Sequence, residues 1–280
     1  MLSEAQVREF RDRGFVLGGR VLDDAQVDEL RGELERVLTT TDFPDGRRPV
    51  RCSDLSKNEG RPVWQIVNIW QASDAFARLS RNPSIVGDVA RMTGAKELRI
   101  WHDQVQYKPK DVGGTTSWHQ DSPAWPVLTP HVQMSAWVAL DDVDEGNGCM
   151  WMVPGSHRWG SARELHQDIH FDSELPAEYR GHAIRQVPRP VAKGHVHFHH
   201  GLTWHASFPN RSGRPRRAIA FHYMPETTRY VAANDHIMKQ FITVADGEQL
   251  SGPVFPRVYP LNAAGSADAE PADAAAASHT

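Results

Sequence analysis

The first part of the chain carries apolar side chains at the three- and four-residue spacing of amphipathic helices. Two capping-box sequences begin predicted helices, Ser3 with Gln6 and Asp23 with Gln26. The second is followed by an apolar stripe at positions 27, 30, 34, 37 and 38, while Pro83 and Gly94 bound a third predicted helix. The short apolar run at residues 15–17 predicts a strand. We therefore expect a largely helical N-terminal part over residues 1–95.

Two segments lack any apolar period. Residues 39–60 are rich in charge and turn-forming residues. Loops of this length are uncommon in compact domains and often cover functional sites, so we expect a lid here. Residues 263–280 are dominated by Ala, Asp and Ser, with almost no side chain to bury, which predicts a disordered tail.

From residue 98 onwards the apolar period changes from that of helices to that of strands. Five β-branched or aromatic runs are separated by clusters of Gly, Pro and Asn: LRIWHDQVQY, VQMSAWVAL, GCMWMV, HVHFHH and RAIAFHYM. Short strands after a helical part are typical of a jelly-roll or cupin-like barrel, that is, a double-stranded β-helix. We predict a mainly β fold with flanking α-helices, as one domain over residues 1–262 with its barrel core at 96–262.

Composition narrows the possible partners. The 280 residues carry a formal net charge of −4, without the basic excess that nucleic acids or anionic membranes attract. No apolar stretch is long enough to span a bilayer, and the two cysteines are too few for a disulfide framework. We expect a cytoplasmic protein with a small-molecule ligand; monomer and homodimer both stay open. The fifteen histidines and nine tryptophans instead favour a metal site and an aromatic-lined pocket.

The stretch SWHQDSPAWP places His119 and Asp121 two positions apart. Residues i and i+2 of a strand face the same way, so the imidazole and the carboxylate can reach a common point inside a barrel. His-x-Asp alone is a weak signal, and His205 in a later turn-rich segment is the candidate third ligand. Two histidines and one carboxylate form the facial triad that leaves three positions of an iron ion open.

Arg216 stands at the head of the last predicted strand, eleven residues after His205. A guanidinium group can hold a carboxylate through two parallel hydrogen bonds, which a lysine ammonium does less specifically. Such a contact would suit the distal carboxylate of 2-oxoglutarate. The nearby Arg211, Arg214 and Arg217 are less favoured, because the strand sequence AIAFHY follows Arg216 and Arg217 directly and the spacing selects Arg216.

The chain resembles the phytanoyl-CoA dioxygenase (PhyH) family of Fe(II)/2-oxoglutarate-dependent oxygenases. The likeness covers most of the chain, and its most specific parts are the NG…PGSH block and the His-to-Arg spacing. The stretches that carry it are LSEAQVREFRDRGFVLGGRVLDDAQVDEL, WHDQVQYKPKDVGGTTSWHQD, SAWVALDDVDEGNGCMWMVPGSHRWG and HFHHGLTWHASFPNRSGRPRRAIAFHY.

The resemblance implies a role for each matching residue. His119, Asp121 and His205 would bind Fe(II) and form the catalytic centre, with dioxygen as the second co-substrate. Arg216 would hold the distal carboxylate of 2-oxoglutarate, with Ser207 beside it. Trp137 and Gln104 would line the co-substrate pocket.

Two departures from the family pattern affect single positions. Some members hold 2-oxoglutarate with a lysine from an early strand, but VWQIVNIW contains none, so Gln65 or Asn68 would take its place. His195 stands where the family commonly has an acidic residue. Asp121 is a carboxylate and not Gly or Ala, which favours hydroxylation over the halogenase variant of this chemistry.

Three further side chains are candidate substrate contacts. Trp125 lies in a proline-bounded loop after Asp121, while His102 and His222 share strand parity with Gln104 and Arg216. Each could equally be a core residue. His197, His199 and His200 are expected to have structural or supporting roles, since alternate strand residues face opposite ways.

Together these residues predict an enzyme that hydroxylates a C–H bond of a small organic molecule, with release of succinate and CO2. One alternative is a hydrolase or isomerase in which the same triad holds zinc or another divalent metal, which leaves Arg216 and Ser207 without a role. The other is a non-catalytic cupin-like binding protein, against which the intact triad argues.

Overall fold

The computed structural model of the protein describes residues 1–43, 45–55, 60–162 and 175–261. In these ranges the α-helices are α1 (Glu4–Arg13), α2 (Asp24–Thr39), α3 (Asp74–Leu79) and α4 (Pro83–Thr93). Single turns of 3-10 helix lie at Ile69–Gln71, Ser122–Ala124, Ser156–Trp159 and Ile237–Phe241.

The β-strands in the same ranges are β1 (Phe15–Arg20), β2 (Arg51–Asp54), β3 (Trp64–Val67), β4 (Leu98–Lys108), β5 (Thr116–His119), β6 (Leu128–Thr129), β7 (Met134–Ala139), β8 (Met150–Met152), β9 (Glu178–Tyr179), β10 (His182–Ala183), β11 (Val187–Arg189), β12 (His195–His200), β13 (His205–Ser207), β14 (Arg216–Pro225), β15 (Arg229–Tyr230) and β16 (Arg257–Tyr259).

The predicted helix ends are confirmed by their hydrogen bonds. The Ser3 hydroxyl accepts from the backbone N–H of Gln6, and the Asp23 carboxylate accepts from that of Gln26 at 2.8 Å. Gly94 ends α4 in the left-handed region at φ 73°, where a residue without Cβ is favoured. The helices form as predicted because caps and apolar stripes are local signals.

The strands form two main antiparallel sheets that face each other. The large sheet has eight strands in the order β1-β12-β7-β14-β4-β3-β2, with β16 also paired to β4. The small sheet has the order β11-β8-β13-β5. This is the predicted mainly β barrel with flanking helices. Strands β1, β2 and β3, from the N-terminal part, join the same sheet as the later barrel strands.

Strand alternation gives the large sheet two different faces. Its outer positions, such as Val138, Ile219 and Phe221, pack with the apolar stripes of the helices into one buried core. Its inner positions, such as Trp137 and Ala220, pack against Met150 and Met152 of the small sheet. The helices therefore support the sheet from outside, and the functional side chains lie between the sheets.

The expectation of a loop throughout residues 39–60 is wrong at Arg51–Asp54, which forms β2 and pairs with β3. These residues have no alternation of apolar side chains that would predict a strand. Their strand conformation depends on hydrogen bonding to β3. Position 44 and residues 56–59 lie outside the described residues, so the lid stays a prediction. The predicted tail, 263–280, also lies outside them.

Two neighbours of Asp121 fix the segment that carries it. The buried Gln120 amide donates to the carbonyls of Leu202, at 2.7 Å, and Gly160, at 3.0 Å. The Ser122 backbone N–H donates to the Gly201 carbonyl at 2.9 Å. A Cβ on Gly201 would lie 2.0 Å from the Ser122 hydroxyl, so only glycine allows this approach. The turn after β12 thereby holds Asp121 in place.

Candidate active site

Three side chains that could bind a metal ion converge between the two sheets. His119 ends β5 and His205 begins β13, and the two residues are direct cross-strand neighbours. The Nε2 atom of each lies 3.6 Å from Oδ1 of Asp121. The structure therefore brings together the three residues that the sequence selected as ligands.

The hydrogen bonds of the two imidazoles leave Nε2 free for a metal. Nδ1 of His119 lies 2.8 Å from the Ser117 carbonyl, and Nδ1 of His205 lies 2.9 Å from the Thr203 carbonyl. A carbonyl can only accept, so each Nδ1 carries the proton and each Nε2 presents a lone pair. This donor set, with one carboxylate oxygen, fits a divalent iron ion with open positions.

Burial and charge favour the metal-binding protonation state at Asp121 and His205, but not at His119. Burial alone would raise the pKa of Asp121, but His205, His119 and His199 together hold that pKa well below its usual range. Burial lowers the pKa of His205 well below its ordinary value. Burial lowers the pKa of His119, but the hydrogen bond and the charge of Asp121, together with backbone hydrogen bonds, raise it by more. A metal at Nε2 would displace the added proton.

His119 and Asp121 lie close together, as the sequence argument predicted, but the predicted strand geometry is wrong. Asp121 is not on a strand, because it follows the end of β5 with helical torsion angles, φ −68° and ψ −55°. It begins the 3-10 turn Ser122–Ala124. A turn, and not the alternation of a strand, brings its carboxylate beside the two imidazoles.

The cavity beside these ligands is lined by both sheets. Its lining residues are Gln106, Thr116, His119, Asp121, Trp137, Met150, His199, His205, Ala206, Ser207, Ala220 and His222. Trp137 and Ser207 are therefore where the resemblance implied. Gln104 is not among the lining residues; Gln106, two positions along the same face of β4, is.

Arg216 is a buried cation without a carboxylate partner in the described part of the chain. It is 1% exposed, and its guanidinium donates to the Ser207 hydroxyl and to the Gln106 carbonyl, both at 3.3 Å. Its Nε has no partner among the described residues. Burial lowers the pKa of Arg216 to about 10, so it stays charged at neutral pH. An anion is the expected occupant beside it.

Lys108 is a second buried basic residue, which the sequence reasoning missed. It lies directly opposite Arg216 in the pairing of β4 with β14 and is 0% exposed. Its Nζ donates to the carbonyls of Ser207, at 2.9 Å, and Phe208, at 2.6 Å. Burial, with the charge of Arg216, lowers the pKa of Lys108 well below its ordinary value. Lys108 and Gln104 lie on the same face of β4 by strand alternation, and this pattern could have identified Lys108 from the sequence.

The two candidates for the missing lysine differ in position. Gln65 lies opposite Gln106 on the inner face of the sheet, and its amide oxygen accepts from Arg51. Asn68 has a left-handed φ of 59°, and its side chain accepts from the backbone N–H of Asp103 at 3.2 Å. Asn68 is therefore committed to the backbone, and Gln65 stays the candidate.

The candidate substrate contacts fall at different depths. His222 lines the cavity, whereas His102 and Trp125 are not among the residues that line it. The His102 ring is 4.9 Å from His222 and 5.3 Å from Trp125, between ring centroids. Trp125 packs in an apolar cluster with Trp101 and other residues.

The other histidines of β12 have supporting positions. His199 donates through Nε2 to Oδ2 of Asp121 at 3.0 Å, and His197 accepts from Nε of Arg189 at 3.3 Å. His195, where the family commonly has an acidic residue, begins β12, with Nδ1 3.2 Å from the Lys193 carbonyl.

The comparisons with known proteins point to one family. A family model described as phytanoyl-CoA dioxygenase (PhyH) matches residues 10–218. The peroxisomal phytanoyl-CoA dioxygenase of Rattus norvegicus is 26% identical over 268 residues, which cover 88% of this chain and 76% of that protein. No helix in the described ranges is long and apolar enough to cross a membrane.

Two solved structures of alpha ketoglutarate dependent enzymes are similar over nearly the whole chain. The non-heme carbocyclase SnoK from nogalamycin biosynthesis is 29% identical with a TM-score of 0.73, covering 91% of this chain and 96% of its own. The epimerase SnoN, solved with Fe3+, alpha ketoglutarate and nogalamycin RO, is 26% identical with a TM-score of 0.74, covering 91% and 98%.

We expect alanine at His119, Asp121 or His205 to abolish tight Fe(II) binding in a protein that still folds. Each change removes one of the three converging ligand atoms, and none of these residues belongs to the apolar clusters. Metal content after dialysis and circular dichroism check this. A variant that keeps stoichiometric iron would remove that residue from the ligand set.

Proposed function

This chain belongs to the phytanoyl-CoA dioxygenase (PhyH) family of Fe(II)- and 2-oxoglutarate-dependent dioxygenases, and from that premise we propose that His119, Asp121 and His205 are its iron ligands. The observation that carries the proposal is the convergence of two Nε2 atoms and Oδ1 beside a cavity whose wall includes Ser207. The Ser207 hydroxyl accepts from the buried Arg216, which has no carboxylate partner among the described residues. Iron, when bound, supplies the activation of dioxygen for oxidation of a substrate C–H bond.

The residues around the iron site bind and enclose the co-substrate. Arg216 would hold the distal carboxylate of 2-oxoglutarate through its guanidinium fork, with the Ser207 hydroxyl as a further donor. Lys108 lies opposite Arg216 and donates to the Ser207 carbonyl at 2.9 Å. Trp137 and Met150, on the two facing sheets, line the cavity and would help to exclude water from a bound co-substrate. The enzyme releases succinate and CO2.

Neither alternative function, a divalent-metal hydrolase or isomerase or a non-catalytic binding protein, is supported. The relatives are named dioxygenases, and the similar structures are named as alpha ketoglutarate dependent enzymes. Hydrolysis does not require the buried Arg216, and binding without catalysis does not require a complete set of three metal ligands. The cytoplasmic location and the oligomeric state stay predictions; the rat relative is named as peroxisomal.

We propose that the reaction is hydroxylation of a small organic molecule and that His222, on the cavity wall, contacts the substrate. The experiment is mass spectrometry of the product from a substrate that stimulates succinate formation. Gain of one oxygen atom is expected. Loss of two hydrogen atoms would instead indicate a ring closure, and an unchanged mass an epimerisation, the reactions in the names of SnoK and SnoN.

The inner face of β2 and β3 favours a substrate with an anionic group. Arg51 lies opposite Val67, which lies opposite Gln104, and Ser53 lies opposite Gln65. No carboxylate stands on these inner positions. With strands about 4.8 Å apart, Arg51 begins roughly 10 Å from Gln104, within reach of a molecule that extends out of the cavity.

We expect small carboxylic acids to stimulate succinate formation more than their primary amides do, because Arg51 offers a counter-charge to the acids alone. Arg51→Gln should remove the preference. Arg48→Gln is the control, since Arg48 is exposed and three positions away. Equal stimulation by acids and amides in the wild type would contradict an anionic substrate.

We expect Arg216→Ala to weaken 2-oxoglutarate binding by roughly thirtyfold to several thousandfold. The change leaves a partly desolvated carboxylate without its partner, at a cost of about 2 to 5 kcal/mol. Arg216→Lys should rescue only partly, because it keeps the charge and loses the fork. A titration of the visible charge-transfer band of the anaerobic Fe(II) complex measures the affinity.

Arg214→Ala is the matched control for that titration. Arg214 is exposed and pairs with Asp144 at 2.5 Å, so its loss should leave 2-oxoglutarate affinity unchanged. Arg217 is a poorer control, since it bonds twice to Asp141 and its loss would affect stability. Equal affinity in the wild type and Arg216→Ala would refute the assignment.

A further inference from the structure

A row of three polar side chains crosses the large sheet beside Asp121. His222 on β14, Ser135 on β7 and His199 on β12 are direct neighbours in the strand pairing. All three are buried, with exposures of 2%, 0% and 2%. Apolar side chains would occupy such positions in a purely structural sheet, so the row calls for an explanation.

The direction of each proton in this row follows from its acceptor. The Ser135 hydroxyl lies 2.7 Å from Oδ2 of Asp121, and an ionised carboxylate can only accept, so Ser135 donates its single proton there. Nδ1 of His222 lies 2.7 Å from the same hydroxyl oxygen and must therefore donate to it. Nε2 of His199 also donates to Oδ2, at 3.0 Å.

The two oxygens of Asp121 thus have different surroundings. Oδ2 receives two hydrogen bonds, whereas Oδ1 faces the Nε2 atoms of His119 and His205. A carboxylate that bound the metal through both oxygens would occupy a position needed by 2-oxoglutarate or dioxygen. Two donors on Oδ2 oppose that mode of binding.

We propose that Ser135 and His222 are positioning residues. Nδ1 of His222 donates to the Ser135 hydroxyl, which donates to Oδ2 of Asp121. This directed chain of hydrogen bonds restricts Asp121 to binding iron through Oδ1 alone. The inference rests on the proposed function, because it takes Asp121 as an iron ligand. It adds a role to a serine and a histidine that do not themselves bind the metal. His199 assists from the opposite side.

The same chain sets the tautomer of His222. With its proton on Nδ1, the neutral ring presents a lone pair at Nε2, which is buried and has no partner among the described residues. An acceptor at the cavity wall suits a substrate O–H or N–H group. The proton position is thus a property of the protein before any ligand binds.

The first experiment measures that tautomer in the metal-free wild type by nitrogen-15 NMR of the histidine rings, with His222 assigned from its loss in His222→Asn. A protonated Nδ1 and an unprotonated Nε2 are expected. The opposite tautomer would overturn the proposal. This measurement decides the proton direction even if a Ser135 variant fails to fold.

The second experiment measures Fe(II) affinity, and the position of the charge-transfer band with 2-oxoglutarate, in three variants. Ser135→Ala should weaken Fe(II) binding about tenfold to a hundredfold, the usual effect of removing a partner of a metal ligand, and should shift the band. His222→Asn keeps an N–H in the place of Nδ1 and should stay close to wild type. His222→Leu removes the donor and should approach Ser135→Ala.

Ser80→Ala is the matched control, since Ser80 is also fully buried and its hydroxyl donates to the Ala77 carbonyl at 2.8 Å. It should lower stability without changing metal affinity or the band. Wild-type affinity and band in Ser135→Ala, or equal losses in His222→Asn and His222→Leu, would overturn the positioning role. Failure of the proposed function is distinguished by Asp121→Ala, which would then keep its iron.

Discussion

Asp121 is a buried carboxylate that must stay ionised to bind a metal, and burying a charge costs free energy unless donors surround it. The protein meets this requirement from two sides. The large sheet brings the donors Ser135 and His199 to Oδ2, and the small sheet brings the Nε2 atoms of His119 and His205 to the side of Oδ1, where a metal ion would supply positive charge. The site therefore exists only where the two sheets face each other in this register, and the rest of the fold maintains that arrangement.

Two buried basic residues lie beside Ser207, which belongs to the cavity wall. Arg216 and Lys108 are opposite one another, buried, and without a carboxylate partner in the described ranges. Carbonyl groups of Ser207, Phe208 and Gln106 satisfy part of their donors. Burial, with the positive charge of Arg216, lowers the pKa of Lys108 well below its ordinary value, while Arg216 stays charged. A bound carboxylate would supply the counter-charge that the described residues do not place beside Arg216.

Local signals explain why much of the fold could be predicted. Capping residues and apolar stripes determined α1, α2 and α4 because their interactions span only a few residues. Strand β2 was missed because its sequence, RCSD, has no apolar alternation and depends on pairing with β3. The candidate ligands were selected from their residue types and spacing, and a turn after β5, not strand alternation, places Asp121 beside the two histidines.

The sequence by itself determined helices α1, α2 and α4, the long strands of the barrel, the three candidate ligands and the candidate arginine, since each has a local pattern or a characteristic chemistry. Only the tertiary structure decided that Ser135, His199 and His222 form one row, that Lys108 faces Arg216, and that Gln106 lines the cavity. The physical reason is register. Which residues face inward as neighbours is set by pairing between strands distant in the chain, and a slip of one residue would turn every side chain to the other face.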